Sequence, residues 1–154
     1  MKVSHILCPV DFSDLSAHAL RYAAMLARRL DARLTVVYAH SFSAPPYFTK
    51  GNLQELEEQF RAARHDAEVE LQNFTRRQTD YMNVDVRFVE TNPVDGIHKT
   101  AEQIGADLIV MGTHGRSGLN RLMLGSVAEG ILRESLVPVL TVRGGAASVP
   151  IDKG

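Results

Sequence analysis

The chain has 154 residues, of which 45% are hydrophobic and 23% charged, the ordinary values of one soluble globular domain. Its 17 basic and 18 acidic side chains give a formal net charge of −1, so we expect no nucleic-acid partner and no anionic membrane surface. A single cysteine, Cys8, excludes an internal disulfide framework and a multi-cysteine zinc site.

The N-terminal apolar run is short and contains the only cysteine. It is broken at Pro9 and Asp11, so we expect no signal peptide, and no apolar run approaches the roughly 18 residues of a membrane helix. We therefore expect a cytoplasmic location and no membrane partner. Because no His or Lys adjoins Cys8 to activate its thiol, we expect a small buried hydrophobe rather than a reactive group.

Apolar periodicity predicts strands and helices that alternate along the chain. In chain order we predict a strand over residues 3–8, a helix over 15–30, a strand over 34–39, a helix over 52–79, a strand over 84–89, a helix over 94–104, a strand over 107–111, a helix over 126–136 and a strand over 139–142. Ser13 or Asp14 can cap the first helix, and Pro93 suits the first turn of the third. Five strands joined through helices predict an α/β fold, with a parallel sheet and helices on both faces.

Two of the predicted helices carry an apolar face that we expect to be buried. In the long second helix this face consists of Leu53, Leu56, Phe60, Ala63, Ala67, Leu71 and Phe74. In the last helix it consists of Val127, Ile131, Leu132 and Leu136. The charged residues of the long helix are interpreted as a solvated face, although they could also contact a partner.

A glycine-rich segment joins the strand over 107–111 to the helix that begins at Ser126. It carries Gly112, Gly115 and Gly125 in the spacing Gly-x2-Gly-x9-Gly-Ser. The first amides of a helix and the positive end of its dipole favour an anion, and glycines allow positive φ and close approach of a ligand. The pattern predicts a phosphate-binding loop; the alternative is a loop that only needs flexible residues.

This spacing, with Asp-Leu-Ile-Val-Met-Gly-Thr-His-Gly over residues 107–115 and Pro-Val-Leu-Thr-Val-Arg over 138–143, resembles the ATP-binding branch of the universal stress protein family. Ile-Leu-Cys-Pro-Val-Asp-Phe-Ser over residues 6–13 is similar to that family's first strand and turn. The resemblance implies a single doubly wound domain over residues 1–143 with the strand order 3-2-1-4-5. The small and polar residues 144–154 predict a disordered tail.

In a doubly wound sheet the ligand lies where the strand order reverses, here between the first and fourth strands. Asp11 could accept hydrogen bonds from ribose hydroxyls or from the adenine amino group, or it could help to cap the first helix. The resemblance implies an adenine contact at Ala39, which could also be a core residue. The predicted nucleotide-binding residues are Pro9, Val10, Asp11, Ala39, Met111, Gly112, His114, Gly115, Arg116, Gly125, Ser126 and Val127.

Fast catalysis is not predicted. The chain has no P-loop, no Gly-x-Gly-x-x-Gly dinucleotide pattern, no Gly-x-Ser-x-Gly elbow and no His-Glu-x-x-His metal helix. His114 could be a general base or a phosphoryl acceptor, Arg116 and Arg121 could contact phosphate, and Ser117 could be phosphorylated. A structural or solvent-exposed role stays open for each, so we assign no catalytic and no metal-binding residue.

The predicted cofactor is ATP, with or without Mg²⁺, while ADP and AMP stay open. The predicted function is a nucleotide-binding stress-response module; the alternatives are a slow ATPase or self-phosphorylating enzyme, and a nucleotide-free adaptor for an unknown protein partner. The resemblance also implies a homodimer through the last strand, Val139–Val142. Where family members usually have a glycine before the third helix, this chain has Asn92, which tolerates left-handed angles.

Overall fold

The computed structural model describes residues 2–42, 53–114 and 124–144. Its elements are β1 (His5–Pro9), α1 (Asp14–Leu30), β2 (Arg33–Ala39), α2 (Leu53–Gln78), β3 (Val84–Val89), α3 (Pro93–Ile104), β4 (Leu108–Gly112), α4 (Ser126–Glu134) and β5 (Val139–Val142). All five strands are parallel, in the order β3-β2-β1-β4-β5. The predicted fold class and strand order are confirmed.

The sheet separates two apolar layers. Alternate residues of β1 point to opposite faces, so Ile6 and Cys8 join the layer under α1 and α2, whereas Leu7 joins the layer under α3 and α4. Cys8 is fully buried, and burial raises the pKa of its thiol, which confirms the prediction of an inert hydrophobe. None of the described helices is long and apolar enough to cross a membrane.

The end of α4 differs from the prediction. The helix stops at Glu134 rather than at Leu136, because Ser135 takes an extended conformation and its hydroxyl donates to the Val137 carbonyl at 2.7 Å. Leu136 is fully exposed in the resulting turn, and Leu132 is 44% exposed. The predicted burial of both leucines is therefore wrong: Leu136 lies beyond the end of the helix, and Leu132 lies within α4 but is exposed.

The apolar face of α2 is buried only near the helix C-terminus. Leu71 and Phe74 are buried, whereas Leu53 is 52% exposed, contrary to the prediction. The remaining predicted positions are half-buried: Leu56, Phe60, Ala63 and Ala67. The chain therefore uses the last third of α2 to cover the sheet.

The turn between β1 and α1 contains a residue in the left-handed region. Phe12 has a φ of 65°, which is unfavourable for a residue with a Cβ atom. Its ring lies 4.5 Å from the Tyr38 ring and 5.4 Å from the Phe74 ring, measured between centroids. These ring contacts hold the strained backbone in place.

Glycine at position 12 is therefore expected to be tolerated better than alanine. Phe12→Gly and Phe12→Ala both lose the ring contacts, but only glycine relieves the left-handed backbone, so the glycine variant is expected to be about 1 kcal/mol more stable. Urea unfolding of the two variants measures the difference. The same pair at the exposed helical residue Glu102 is the control, where alanine is expected to be more stable by about 1 kcal/mol. An alanine variant at position 12 as stable as the glycine variant would contradict this account of the turn.

A buried histidine lies at the opposite, amino-terminal edge of the sheet. His5 Nδ1 lies 3.0 Å from the Ile104 carbonyl oxygen, so it donates, and Nε2 then accepts from the Thr35 hydroxyl at 2.8 Å. Burial and the nearby Arg33 guanidinium lower the pKa of His5. The ring is thus held in its neutral form.

The free energy of unfolding is expected to be flat above about pH 6.5, the ordinary pKa of histidine, and to fall below it, because the unfolded chain then binds a proton that folded His5 resists. Burial also lowers the pKa of His18, so this residue is expected to reduce the free energy of unfolding at low pH in the same way. Urea unfolding between pH 7.5 and 5.5 measures the slope, which His5→Gln is expected to reduce. The exposed His65 provides the control, since His65→Gln is expected to keep the slope; an unchanged slope in His5→Gln would refute the assignment.

Candidate functional site

A crevice of about 320 Å³ opens at the carboxyl ends of β1 and β4, where the strand order reverses. Its lining comes from the strands β1, β2 and β4, from the helices α1, α3 and α4, and from the turn residues next to them. The described residues that line it are Pro9, Val10, Asp11, Ser16, Val37, Ala39, Pro93, Ile97, Met111, Gly112, Thr113, His114, Gly125, Ser126, Val127 and Ala128.

Every predicted site residue that the structure describes lines this crevice. Gly115 and Arg116 lie outside the described residues, as do Arg121 and Ser117. The sequence analysis missed six further lining residues: Ser16, Val37, Pro93, Ile97, Thr113 and Ala128. Two of them carried a usable signal, because Val37 shares the face of Ala39 on β2 and Ile97 lies one helical turn beyond Pro93.

One end of the crevice is apolar. Val37, Ala39, Ile97 and Met111 contribute buried side chains from β2, α3 and β4. Helix α3 approaches β2 closely beside Ala39. A Cβ atom added at Gly96 would lie only 2.9 Å from the Ala39 Cβ atom. Such an apolar slot suits a flat aromatic group such as a purine base.

The other end is formed by the N-terminus of α4. Gly125 is the N-cap and has no side chain to accept from the amides of Ser126, Val127 and Ala128, which all line the crevice. The helices α1 and α3, in contrast, are capped by side chains of Ser13 and Asn92. Uncapped amides and the helix dipole together favour an anion at this end.

The two described glycines of the predicted phosphate-binding loop, Gly112 and Gly125, do not have the positive φ that the sequence analysis allowed for. Gly125 has a φ of −67°, and among the described glycines only Gly105, at the end of α3, has a positive φ. Gly112 is instead required by packing, because a Cβ atom there would lie 3.0 Å from Leu15 Cγ. At Gly112 the absent side chain therefore leaves room for Leu15 rather than permitting a left-handed backbone.

His114 lines the same crevice as the N-terminus of α4. Its Nδ1 atom is 2.8 Å from the hydroxyl oxygen of the buried Thr113, and its Nε2 atom is inaccessible to solvent, with no hydrogen-bond partner among the described residues. When the Thr113 hydroxyl donates to Nδ1, the neutral ring carries its proton on Nε2 and can donate to an anion. The main chain of Thr113 also makes two hydrogen bonds: its amide donates to the carbonyl of Val142 in β5, and its carbonyl accepts from the amide of Gly125, the N-cap of α4.

Asp11 lies at the rim of the crevice and in the turn before α1. Its Oδ1 atom accepts from the amide of Ser13 at 3.1 Å and from the Ser13 hydroxyl at 2.5 Å. The N-cap of α1 is Ser13 itself, which accepts from the Ser16 amide. Asp11 therefore supports the cap through Ser13 while its side chain also borders the crevice.

The turn before α3 is formed without a left-handed residue. Asn92 has a φ of −51° and caps α3 by accepting from the Val94 amide at 3.0 Å. The tolerance of asparagine for left-handed angles is thus not used, and its role is that of a helix cap.

The fold agrees with the results of comparison with known proteins. The family model described as the universal stress protein family matches residues 2–143. A universal stress protein of Methanocaldococcus jannaschii is 32% identical over 142 residues, which are 90% of this chain and 81% of the relative. The structure of the universal stress protein UspA from Lactobacillus plantarum is 30% identical, with a TM-score of 0.72 over 93% of this chain and 99% of its own.

Two further solved structures contain nucleotides. A universal stress protein in complex with cAMP is 25% identical, with a TM-score of 0.61 over 93% of this chain and 98% of its own. The universal stress protein from Archaeoglobus fulgidus in complex with dAMP is 23% identical, with a TM-score of 0.57 over 93% and 100%, and shares the fold. From the match over nearly its whole length, and from the sheet order and crevice described above, the chain belongs to the universal stress protein family.

Proposed function

We propose that the chain is a stress-response module that binds an adenine nucleotide, with ATP as the first candidate, in the crevice between β1 and β4. The observation that carries the proposal is that the crevice has an apolar part and a part that favours an anion. An apolar slot at Ala39 and Ile97 and an uncapped helix N-terminus at Gly125 lie in one continuous cavity. A nucleotide has the same division between a flat base and an anionic phosphate.

In the proposed complex the base lies in the slot beside Ala39 and Met111. The Asp11 carboxylate accepts hydrogen bonds from the neutral end of the ligand, because it would repel a phosphate. The phosphates lie at the amides of Ser126 and Val127, with His114 as a further donor. We propose that Mg²⁺, where present, enters with the phosphates, since this ion is commonly held by phosphate oxygens and water.

The neighbours that contain cAMP and dAMP support the choice of an adenine ligand. Both ligands combine adenine with a single phosphate group, so the shared chemistry is the base and the first phosphate. ATP, ADP and AMP all carry these two groups, and the crevice offers partners for both. The base and the first phosphate therefore do not distinguish ATP from ADP or AMP, which differ only in the number of further phosphates.

The experiment is to purify the chain without added nucleotide, denature it, and identify by chromatography and mass spectrometry the nucleotide released per chain. ATP close to one per chain, without product on incubation, is the expected result for a binding module. ADP that accumulates from added ATP would instead establish a slow ATPase, and phosphate retained on the protein would establish self-phosphorylation. Absence of nucleotide, together with no binding of added ATP, would refute the proposal and favour an adaptor.

We also propose that two chains pair through β5. This strand is one edge of the sheet, and its Leu140 is 40% exposed. An apolar edge strand is a template for pairing with another strand, and a twofold axis would satisfy both copies equally. Sedimentation equilibrium of the purified chain measures this assembly directly, and a monomer at micromolar concentration would exclude it.

A further inference from the structure

We propose that Ser13 is a positioning residue for Asp11, whose carboxylate it holds at the rim of the crevice through its hydroxyl proton. The inference rests on the proposed function, because the ligand of the carboxylate is the nucleotide. It concerns a residue that does not itself line the crevice, and it assigns Ser13 a role beyond the helix cap.

The proton of the Ser13 hydroxyl has a definite direction. A carboxylate oxygen only accepts, so the 2.5 Å contact between Ser13 Oγ and Asp11 Oδ1 requires the serine to donate. Ser13 Oγ in turn accepts from the Ser16 amide at 3.1 Å. Ser13 thus links an amide at the positive end of α1 to the carboxylate, and each bond strengthens the other.

A second serine fixes the main chain of the same turn. The Ser16 hydroxyl accepts from the Asp11 amide at 3.3 Å and donates to the Ser13 carbonyl at 3.0 Å. The ring of the next residue, Phe12, packs against the apolar layer under α1 and α2. The Ser16 bonds fix the main chain of Asp11, and its Oδ1 atom accepts from both the amide and the hydroxyl of Ser13, of which the hydroxyl makes the shorter bond.

The two roles of Ser13 need different chemistry. A helix cap requires only an acceptor for the Ser16 amide, and glycine replaces serine at an N-cap with a loss of only a few tenths of a kcal/mol. Positioning by the side chain requires a hydroxyl donor for the carboxylate, which threonine supplies and glycine lacks, whereas the amide at position 13 is present in every variant. The variants Ser13→Thr and Ser13→Gly therefore separate positioning from capping.

The effect of removing the donor follows from rotamer freedom. In Ser13→Gly the amide at position 13 still donates to Asp11 Oδ1, so only the hydroxyl bond is lost. If that loss frees all three staggered χ1 wells of Asp11, ATP affinity falls about threefold. Loss of the charge-assisted bond that aligns the carboxylate extends the expected range to about tenfold. Ser13→Thr is expected to bind ATP as the wild type does.

The test is a double-mutant cycle in which calorimetry measures ATP binding to the wild type, Ser13→Gly, Asp11→Ala and the double variant. If Ser13 acts through Asp11, Ser13→Gly weakens binding about threefold to tenfold in the wild type and has no effect in the Asp11→Ala background. Urea unfolding of each variant verifies that the fold is kept. The cycle is then repeated with 2′-deoxy-ATP, 3′-deoxy-ATP and ITP, which lack the 2′-hydroxyl, the 3′-hydroxyl and the adenine amino group. The analogue with which the coupling between Ser13 and Asp11 disappears identifies the donor to Asp11.

Three results would overturn the inference. An equal loss of affinity in both backgrounds would mean that Ser13 acts only through the stability of the turn. Unchanged affinity in Ser13→Gly, or in Asp11→Ala, would remove the positioning role while leaving nucleotide binding intact. A wild-type chain that does not bind ATP would overturn the proposed function first, and the positioning role with it.

Discussion

ATP at one hundred times its dissociation constant is expected to raise the melting temperature by about 5–10 °C, and Gly125→Val is expected to remove most of this rise. Saturation to this degree stabilises the folded state by about 2.7 kcal/mol. A chain of 154 residues gains about 2–4 °C for each kcal/mol. Differential scanning fluorimetry with and without ATP measures the difference.

The substitution at Gly125 is placed at the N-terminus of α4, where the proposed complex has its phosphates. Gly125 has φ −67° and ψ 152°, which valine adopts readily, so the backbone is not strained. The new side chain adds bulk beside the amides of Ser126 and Val127. Valine is a poor N-cap and is expected to lower the unliganded melting temperature slightly, so the informative quantity is the ATP-induced shift rather than the melting temperature itself.

The matched control is Gly144→Val, a glycine-to-valine change outside the described crevice lining. A Cβ atom at Gly144 meets only Leu15 Cδ1 at 3.9 Å, an ordinary contact. The control is expected to keep the full ATP-induced shift. An equal shift in Gly125→Val would show that the phosphates do not lie at α4, and no shift in the wild type would contradict nucleotide binding.

Ile109→Ala is expected to lower the free energy of unfolding by about 2–5 kcal/mol. Ile109 is fully buried in β4, where it pairs with Leu7 of β1 and Val139 of β5. It belongs to the apolar layer under α3 and α4, which also contains Met111 at the crevice. A cavity at this position removes contacts from the centre of a close-packed layer, where neighbours relax only in part.

Leu136→Ala is the control for this substitution. Leu136 is fully exposed beyond the end of α4, so its truncation is expected to change the free energy of unfolding by less than about 0.5 kcal/mol. Urea unfolding of both variants gives the comparison. Similar losses at the two positions would contradict both the end of α4 at Glu134 and the central place of Ile109.

The fold was predictable because its signals are local and repeated. Strands such as Val84–Val89 and Val139–Val142 are bounded by residues that break regular structure, and their limits agree with the prediction. The site was predictable for a second reason, since the glycine spacing and the sheet topology indicate the same crevice. Ala39 and Met111 line the crevice because each stands at the end of a predicted strand.

The remaining features depend on contacts between distant residues. The left-handed backbone of Phe12 is held by Tyr38 and Phe74, which no local pattern connects to it. The helix α4 ends at an extended Ser135 whose hydroxyl bonds to the main chain of Val137, although the apolar spacing continues to Leu136. A helix end and a strained turn are each decided by a few hydrogen bonds or ring contacts, and periodicity does not report these.

The central claim is that an adenine nucleotide lies in the crevice with its phosphates at α4, and amide NMR of the isotope-labelled chain titrated with ATP and with adenosine tests it most directly. We expect both ligands to shift the amide of Ala39, and only ATP to shift the amides of Ser126, Val127 and Ala128 strongly. Equal shifts at α4 with adenosine and ATP, or shifts confined to residues outside the crevice, would contradict the account.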